Sequence, residues 1–312
     1  MTERFLIAGA GAGLAAERWP GGAPVVVLLH EGVADKRGWR EVAAALAPAT
    51  TVVAYDRRGF GETPPGSGTF SHTDDVLAVL DQVADRPAWL VGASAGGMIA
   101  LDTAILAPER VAGLVLLGSS VSGAPAVELD EYSQRFDTLI DRAYESADAA
   151  EINRLETWLW LDGPAQPEGR VGGAARTLAL DMNAIIIKNK VPENAGSSGI
   201  DAWNRLAEVR VPVTVACGEL DAPFMIDRNR QLAARLPSAS FHILPGMAHQ
   251  PYLEHPGQVA NLALEAMAAG KLARKGREAA IHKNAPAGFA SRRRVLPGIT
   301  SASPTTLRRD RD

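Results

Sequence analysis

The feature that most constrains this chain is a serine set among small residues directly after an apolar run. Trp89-Leu90-Val91 leads into Gly92-Ala93-Ser94-Ala95-Gly96, and an apolar segment that reaches Leu106 follows. This order predicts a buried strand that turns sharply into a helix, with glycines where the turn leaves no room for side chains. A G-x-S-x-G turn of this kind lifts the serine hydroxyl above the end of a sheet, beside a helix N-terminus. Ser94 is therefore a candidate nucleophile.

Apolar runs on both sides of this turn alternate with helical patterns. The runs predict strands at 25–29, 51–55, 89–93, 111–117, 213–217 and 240–244. The helical patterns cover 39–46, 71–84, 94–107, 227–236 and 256–269, with Ser71 as a helix cap. Strands that are apolar throughout are typical of parallel strands buried on both faces. The sequence therefore predicts an α/β fold with a mostly parallel central sheet and helices on both faces.

The alternation breaks after Gly118-Ser119-Ser120. Residues 123–200 contain helical patterns at 131–143, 147–159 and 174–187, and no obvious strand pattern. We expect an α-helical insertion at 123–200 inside an α/β core formed by 1–122 and 201–270. The remaining segment, 271–312, is expected to be a basic and mostly disordered tail.

The charge is unevenly distributed along the chain. Residues 271–312 hold 11 Lys and Arg against 3 Asp and Glu, whereas residues 1–270 hold 21 against 33. The acidic body argues against nucleic acid as a partner, so we expect a small-molecule substrate instead. No apolar run approaches the roughly 20 residues that span a bilayer, so no membrane partner is expected. The sequence leaves a monomer and a homodimer both open.

Cysteine usage bears on the compartment. The single cysteine, Cys217, lies in an apolar run, where a buried strand position is expected, and it excludes an internal disulfide. The N-terminus lacks the basic and apolar regions of a signal peptide. Together these observations predict a cytoplasmic location.

Glycines near the N-terminus superficially resemble a dinucleotide-binding loop. Gly9-Ala-Gly11-Ala-Gly13 would need a full helix after it, but Trp19-Pro20-Gly21-Gly22 ends any helix within two turns. We therefore predict a β-hairpin over residues 4–19. No cofactor is expected.

A serine nucleophile needs a histidine base, and six histidines are available. His30 ends a strand where an oxyanion loop is expected. His249 and His255 both follow strand 240–244. His249 lies nearer the strand end, whereas His255 directly precedes the last helix and is expected to pack or face solvent. His249 is therefore the predicted base. The histidines are too scattered to predict a metal site.

The acid and the oxyanion donors are expected at neighbouring strand ends. Asp221 follows strand 213–217 and is favoured over Glu219, although an Asx-turn is its purely structural alternative. The N–H of Ala95, directly after the serine, should be one oxyanion donor. The loop after strand 25–29 should provide the other, with Gly32 favoured and Val33 as the alternative.

These motifs, in the order Ser, Asp, His, resemble those of the α/β-hydrolase family. The resemblance covers residues 4–270 and lies in His30-Glu31-Gly32, in Tyr55-Asp56-Arg57-Arg58-Gly59-Phe60-Gly61, in the turn at Ser94, and in 218–221 with 246–249. It implies an α/β-hydrolase fold in which residues 123–200 form a cap over Ser94, similar to the caps of small-molecule esterases and enol-lactonases. Asp56 and Arg57 are expected to hold loops together. Glu31 departs from the family, which commonly has a small residue there, and it should disfavour strongly anionic substrates.

The resemblance also narrows the chemistry. Relatives that open epoxides or displace halides typically carry an aspartate where this chain has Ser94, so we expect acyl transfer on a small ester, lactone or thioester. Carbon–carbon bond hydrolases, cofactor-free perhydrolases and non-catalytic ligand-binding proteins with this fold remain alternatives. Glu31, Val33, Trp158 and Trp160 are the predicted substrate-binding residues. Because Trp158 and Trp160 are two positions apart, they cannot share one helix face, so one should pack on the core and the other line the pocket. The alternative, which the sequence favours, is that both only pack inside the insertion.

Overall fold

A single mixed sheet organises the chain. In the computed structural model, which describes residues 2–9, 11–66, 69–189 and 196–284, its strands are β1 (Glu3–Gly9), β2 (Ala12–Trp19), β3 (Val25–Leu29), β4 (Thr51–Tyr55), β5 (Ala88–Ala93), β6 (Val111–Leu117), β7 (Val213–Gly218) and β8 (Ala239–Leu244). Their order across the sheet is β1-β2-β4-β3-β5-β6-β7-β8. The β1–β2 and β2–β4 pairs are antiparallel, and the other five pairs are parallel. The predicted mostly parallel sheet is confirmed.

Helices follow the strands as predicted and cover both faces of the sheet. They are α1 (Arg40–Leu46), α2 (His72–Val83), α3 (Ala95–Leu106), α4 (Glu131–Glu145), α5 (Ala149–Thr157), α6 (Gly173–Asn189), α7 (Ala202–Arg205), α8 (Pro223–Arg235), α9 (Pro251–Glu254) and α10 (Pro256–Asn284). Successive residues of β5 show the two faces. Leu90 packs in a core with α2, α3 and α8, and Val91 packs in a second core with α1 and α10. The chain therefore has the α/β-hydrolase architecture.

The N-terminal hairpin is confirmed. β1 pairs with β2 from Glu3 opposite Arg18 to Gly9 opposite Ala12. Gly9 thus ends β1 and Gly13 lies in β2, and β3 follows β2 with no helix between them. The dinucleotide-binding alternative is excluded by this geometry, since the pyrophosphate site of that motif needs a helix N-terminus.

Two helix boundaries differ from the prediction. α8 begins at Pro223 and not at Asp227, because proline fits the first position of a helix, where its missing N–H is not needed. α10 continues to Asn284, whereas the prediction ended it near Ala269. Residues 271–284 are rich in Ala, Lys and Arg and contain no proline, so the helix continues through them despite Gly276. The predicted disordered tail was therefore wrong for 271–284, and the rest of it lies outside the described residues.

Three helices, α4 to α6, lie between β6 and β7, where the sequence predicted the insertion. Asp130 and Asp148 cap α4 and α5 by accepting hydrogen bonds from backbone N–H groups of their first turns. A small core of Phe136, Ile152 and Leu155 packs these helices together. The π-helical turn Trp158–Asp162 continues α5. Residues Met1–Leu272, which include this insertion, form one compact unit.

No helix in the described part of the chain has both the length and the apolar character needed to cross a membrane.

Candidate active site

Ser94 lies in a tight turn between β5 and α3. Its backbone has φ 48° and ψ −115°, a region that residues with a side chain rarely adopt. The Ser94 N–H donates to Leu117 O over 2.9 Å, and the Ser94 carbonyl accepts from the N–H groups of Met98 and Ser120. A side chain on Gly96 would collide with the carbonyl of Leu29 on the adjacent strand. The strained serine is thus held by hydrogen bonds and by a contact that only glycine permits.

His249 and Asp221 form a buried pair at the ends of β8 and β7. The His249 Nδ1 atom lies 2.8 Å from Asp221 Oδ2, and both residues are less than 5% exposed. The competing candidates lie elsewhere. Glu219 accepts a hydrogen bond from the Gly246 N–H over 2.9 Å, and His255 is exposed. The predicted base and acid are therefore adjacent.

Gly118 connects this pair to the serine. It follows Leu117, which bonds Ser94, and it has φ +48°. A Cβ atom at Gly118 would lie 2.9 Å from His249 Nδ1 and 3.1 Å from Asp221 Oδ2. The imidazole thus lies beside the backbone at the end of β6, where Leu117 accepts the Ser94 N–H. Among hydrogen bonds of the described residues, none joins Ser94 Oγ to His249 Nε2, and such catalytic hydrogen bonds are often long before substrate binds.

Two carboxylates set the charge of the imidazole. Burial alone would lower the pKa of His249, but the charge of Asp221, its hydrogen bond to Nδ1 and the charge of Glu31 together raise this pKa to about 9. Glu31 Oε2 lies 3.7 Å from His249 Nε2, on the opposite side of the ring from Asp221. The imidazolium form is therefore favoured in the free protein at neutral pH.

The predicted oxyanion donors follow two adjacent strands. Leu29 of β3 pairs with Gly92 of β5, and Gly32 and Ala95 each come three residues later. In the part of the chain that the structure describes, the hydrogen bonds of turns and loops use neither the Gly32 N–H nor the Ala95 N–H. Gly32 is exposed with open space beside it, and Val33 is half-buried. Both N–H groups are thus free of such bonds, as the predicted oxyanion role requires.

The Glu31 side chain is buried beside these donors. Its Oε1 accepts a hydrogen bond from Gln250 Nε2, and its Oε2 has no hydrogen-bond partner among the described residues. The Tyr252 hydroxyl is close to Glu31 without forming a hydrogen bond of ordinary geometry. Burial raises the pKa of the Glu31 carboxyl, against the opposing effect of His249.

His30 and Arg57 fix the backbone at Glu31. The Arg57 N–H donates to His30 Nε2 over 3.0 Å, so His30 Nδ1 carries the proton and donates to the Glu31 carbonyl over 2.8 Å. Arg57 Nη2 donates to the same carbonyl. Burial and the charge of Arg57 lower the pKa of His30 well below its ordinary value, so it stays neutral. Asp56 binds the Lys36 ammonium over 2.6 Å. The expectation that Asp56 and Arg57 hold loops together is confirmed.

The two tryptophans of the insertion have different surroundings. The Trp160 ring lies 4.6 Å from the His249 ring, and the Trp160 carbonyl accepts the His249 N–H over 3.1 Å. Trp158 instead packs inside the insertion, with its ring against Phe136 and its indole N–H donating to Gln166 O. The structure thus places Trp160 at the site, and it gives Trp158 a packing position that does not fit the predicted substrate contact.

A cavity of about 230 Å³ opens beside Trp160. Its lining residues are Leu129, Ser133, Asp137, Ile140, Glu156, Leu159, Trp160 and Phe224. The walls are mainly apolar and carry two carboxylates without a lysine or arginine. Burial raises the pKa of Glu156, which also accepts a hydrogen bond from Asn183. The cavity suits a small group that is apolar and not anionic.

Sequence reasoning missed the residues that brace the histidine loop. Arg170, from the insertion, pairs with Glu254 over 2.6 Å and donates to the Gly246 carbonyl over 3.1 Å. Glu254 in turn accepts the Ala248 N–H over 2.7 Å. The signal available in the sequence was only that Gln250 and Glu254 closely follow His249. Among the described residues, no group of three or more His, Cys, Asp and Glu side chains is arranged to hold a metal ion.

Comparison with known proteins adds relatives across most of the chain. Residues 26–262 match a family model described as the alpha/beta hydrolase family. A putative 2-succinyl-6-hydroxy-2,4-cyclohexadiene-1-carboxylate synthase from Bacillus subtilis is 28% identical, over 77% of this chain and 89% of that protein. A pimeloyl-[acyl-carrier protein] methyl ester esterase from Pectobacterium carotovorum is 26% identical, over 74% and 89%. A 2-hydroxy-6-oxo-6-phenylhexa-2,4-dienoate hydrolase from Burkholderia cepacia is 25% identical, over 78% and 88%.

Solved structures share the fold. An esterase from Thermogutta terrifontis superposes with a TM-score of 0.64 at 21% identity, over 86% of this chain and 99% of that one. Est816, described as an N-acyl homoserine lactone degrading enzyme, superposes with a TM-score of 0.66 at 22% identity, over 83% and 99%. At this level of identity the likeness concerns the fold.

Proposed function

Because the chain belongs to the alpha/beta hydrolase family, we propose that it is a serine hydrolase that cleaves a small carboxylic ester, lactone or thioester. The observation that carries this proposal is the buried His249–Asp221 pair, 2.8 Å apart, beside Gly118, which follows the strand that bonds the strained Ser94. A serine hydroxyl is a weak nucleophile at neutral pH, and this pair is what activates it.

The proposed reaction proceeds through an acyl-enzyme. Ser94 Oγ attacks the carbonyl carbon while His249 Nε2 takes its proton, and Asp221 stabilises the imidazolium. The N–H groups of Ala95 and Gly32 bind the developing oxyanion. His249 gives the proton to the leaving oxygen, and water then releases the acyl group by the same steps.

The cavity beside Trp160, whose ring contacts His249, restricts the proposed substrate. The 230 Å³ cavity beside Trp160 has room for a small group, and its apolar walls with Asp137 and Glu156 disfavour a carboxylate there. Glu31 adds a further carboxylate beside the base. Residues 123–200 act in this proposal as a cap that closes over the acyl group, supported by the contact of Trp160 with His249. We therefore propose a neutral, small acyl group.

Carbon–carbon bond hydrolysis is the second candidate. The 25% identical relative from Burkholderia cepacia is named as such a hydrolase, and it covers 78% of this chain. The same three residues serve both reactions. A panel that includes a vinylogous diketone beside esters and lactones separates the two candidates by relative kcat/KM.

We further propose a cytoplasmic location and a small-molecule substrate as the partner, with both a monomer and a homodimer compatible with the proposal. The buried, unpaired Cys217 supports the location, because reducing compartments keep such thiols free.

Active-site labelling with a fluorophosphonate tests the proposed function. We expect stoichiometric labelling of the native protein at Ser94 and none in Ser94→Ala. Ser240→Ala, which changes a serine on β8, is the matched control and should label like the unchanged protein. Turnover of p-nitrophenyl esters of increasing chain length and of a lactone series then defines the acyl group.

An unlabelled but folded native protein would contradict the proposal and favour the non-catalytic ligand-binding alternative. Equal labelling of Ser94→Ala would move the nucleophile to another residue.

A further inference from the structure

We propose that Glu31 positions the water molecule that hydrolyses the acyl-enzyme. This inference rests on the proposed serine hydrolase function and assigns a second role to the same site: a hydrogen-bond acceptor reserved for deacylation. It starts from the buried carboxylate of Glu31, just after β3. This carboxylate has no role in the transfer of a proton from Ser94 to His249.

The position of Glu31 is set from three sides. Its carbonyl accepts hydrogen bonds from His30 and Arg57, and its Oε1 accepts one from Gln250. The residue is 1% exposed. Because the backbone carbonyl and the Oε1 atom of Glu31 are both held by hydrogen bonds, the Oε2 atom has a defined position.

The Oε2 atom lies near the base. Glu31 Oε2 lies 3.7 Å from His249 Nε2, too far for a direct hydrogen bond, and among the described residues it forms no hydrogen bond of ordinary geometry, although the Tyr252 hydroxyl is close to the Glu31 carboxyl. A water molecule placed to one side of two polar atoms at this separation can bond to both. A buried carboxylate oxygen left without a hydrogen bond is costly, so this position favours a water.

Residues that follow two adjacent strands, β5 and β3, are placed near His249 Nε2 in this proposal. Ser94 approaches from the end of β5, and Glu31 approaches from the end of β3. After the leaving group departs, the attacking water must lie within hydrogen-bond reach of Nε2 and next to the acyl carbon on Ser94 Oγ. Glu31 Oε2, 3.7 Å from Nε2, borders this space.

The step balances without any further reactant. One water O–H donates its proton to His249 Nε2 as the water oxygen bonds to the acyl carbon. The other O–H donates a hydrogen bond to Glu31 Oε2, which exchanges no proton. The tetrahedral intermediate then collapses, the bond from Ser94 Oγ to carbon breaks, and Nε2 returns the proton to Oγ. Glu31 acts as a positioning residue throughout.

Steady-state and burst kinetics of Glu31→Gln with p-nitrophenyl acetate test this role. We expect kcat, which reports deacylation of such an activated ester, to fall about 10- to 100-fold, the effect of one hydrogen bond to a charged group. The value of kcat/KM, which reports acylation, should stay within about 2-fold, so KM falls with kcat. The variant should also release a stoichiometric burst of p-nitrophenol, with acetyl-Ser94 visible by intact mass spectrometry. Rates are compared on the alkaline plateau, where His249 is neutral in both proteins.

Glu17→Gln is the matched control, because Glu17 is equally buried but lies on β2, where it pairs with Arg40. It should leave kcat and kcat/KM unchanged and show no burst. If Glu31→Gln does not fold, Gln250→Met, which removes the hydrogen bond to Oε1, should show the same pattern at smaller amplitude.

Equal losses in kcat and kcat/KM, or no loss in either, would overturn the role of Glu31 while the unchanged protein still turns over ester through Ser94. Failure of the proposed function itself looks different, since the unchanged protein would then neither label nor turn over.

Discussion

At the scale of single residues, the site is defined by an imidazole between two buried carboxylates. Asp221 bonds His249 Nδ1 over 2.8 Å, and Glu31 approaches Nε2 to 3.7 Å. Most serine hydrolases need only the first of these contacts to orient the ring. The second contact adds negative charge beside Nε2, the nitrogen that must accept a proton. This raises the pKa of His249, so the imidazole is a stronger base, but a smaller fraction of it is neutral at a given pH.

The pH dependence of acylation follows from this arrangement. The active form is neutral His249, which exists above its pKa of about 9. We therefore expect kcat/KM for a neutral ester to rise with pH and to reach half of its plateau near pH 9. Asp221→Asn removes a charge that raises the pKa of His249, so the midpoint of the pH profile of this variant should move to lower pH. A profile of the unchanged protein that is flat from pH 6 to 10 would contradict the assignment of His249 as the base.

Removal of each member of the triad should have a graded effect. Ser94→Ala and His249→Ala are expected to lower kcat on an ester by about 10⁶-fold, and Asp221→Asn by less, because the three residues act as one unit. Initial rates on the best p-nitrophenyl ester measure these losses. His255→Ala is the control, since its exposed ring should leave kcat unchanged. More than a hundredth of the original turnover in His249→Ala would identify a different base.

At the scale of elements, the insertion braces the loop that carries His249. Arg170 pairs with Glu254, which is 3% exposed at its side chain, and also bonds the Gly246 carbonyl. The His249 N–H donates to the carbonyl of Trp160. The loop after β8 is therefore fixed by backbone and side-chain contacts from a different part of the chain.

Arg170→Ala should weaken this brace. Loss of the guanidinium leaves the buried Glu254 carboxylate with the Ala248 N–H as a partner but without its ion pair, so the free energy of unfolding should fall by about 2–3 kcal/mol. Urea denaturation followed by circular dichroism measures the change. Arg230→Ala, which breaks an exposed pair with Asp227, should cost about 0.5 kcal/mol or less. Similar losses in the two variants would show that the Arg170 contact does not brace the loop.

Much of this element-level organisation could be predicted from the sequence. The strands are apolar runs bounded by Gly, Pro and charged residues, and parallel strands bring their carboxyl ends to one edge, so the order of the motifs was enough to place Asp221 next to His249. The contact of Arg170 with Glu254 could not be predicted, because side-chain pairs far apart in sequence leave no periodic signal. The Glu31 carboxylate was visible as a departure from the family, but its direction depends on Gln250 and on the backbone hydrogen bonds of His30 and Arg57.

At the scale of the whole molecule, residues up to Leu272 form one compact unit. The first part of α10 belongs to the core of this unit, since Val259, Ala260 and Ala263 are buried there. Gly270 also lies against Trp89. The basic segment begins close to the point where this packing ends.

A chain that stops after Leu272 should keep its thermal midpoint within about 2 °C and its kcat on esters. The physical reason is that the apolar contacts of α10 with the sheet are retained. Differential scanning calorimetry and ester turnover measure both quantities. A chain that stops after Glu254 loses Val259 and Ala263 from the core and should not fold. A large fall in midpoint after the first truncation would show that residues 273–312 stabilise the body.

The single thiol of Cys217 can report local opening of the structure around β7. Cys217 is 1% exposed, and its Sγ lies 3.2 Å from Asp221 Oδ2, directly behind the base. Burial, followed by the charge of Asp221, raises the pKa of this thiol well above its ordinary value. A thiol-reactive dye can therefore modify the native chain only when β7 and the loop after it separate from their neighbours. Because no other cysteine competes, the rate of modification reads out the local opening free energy behind the active site without any engineered label.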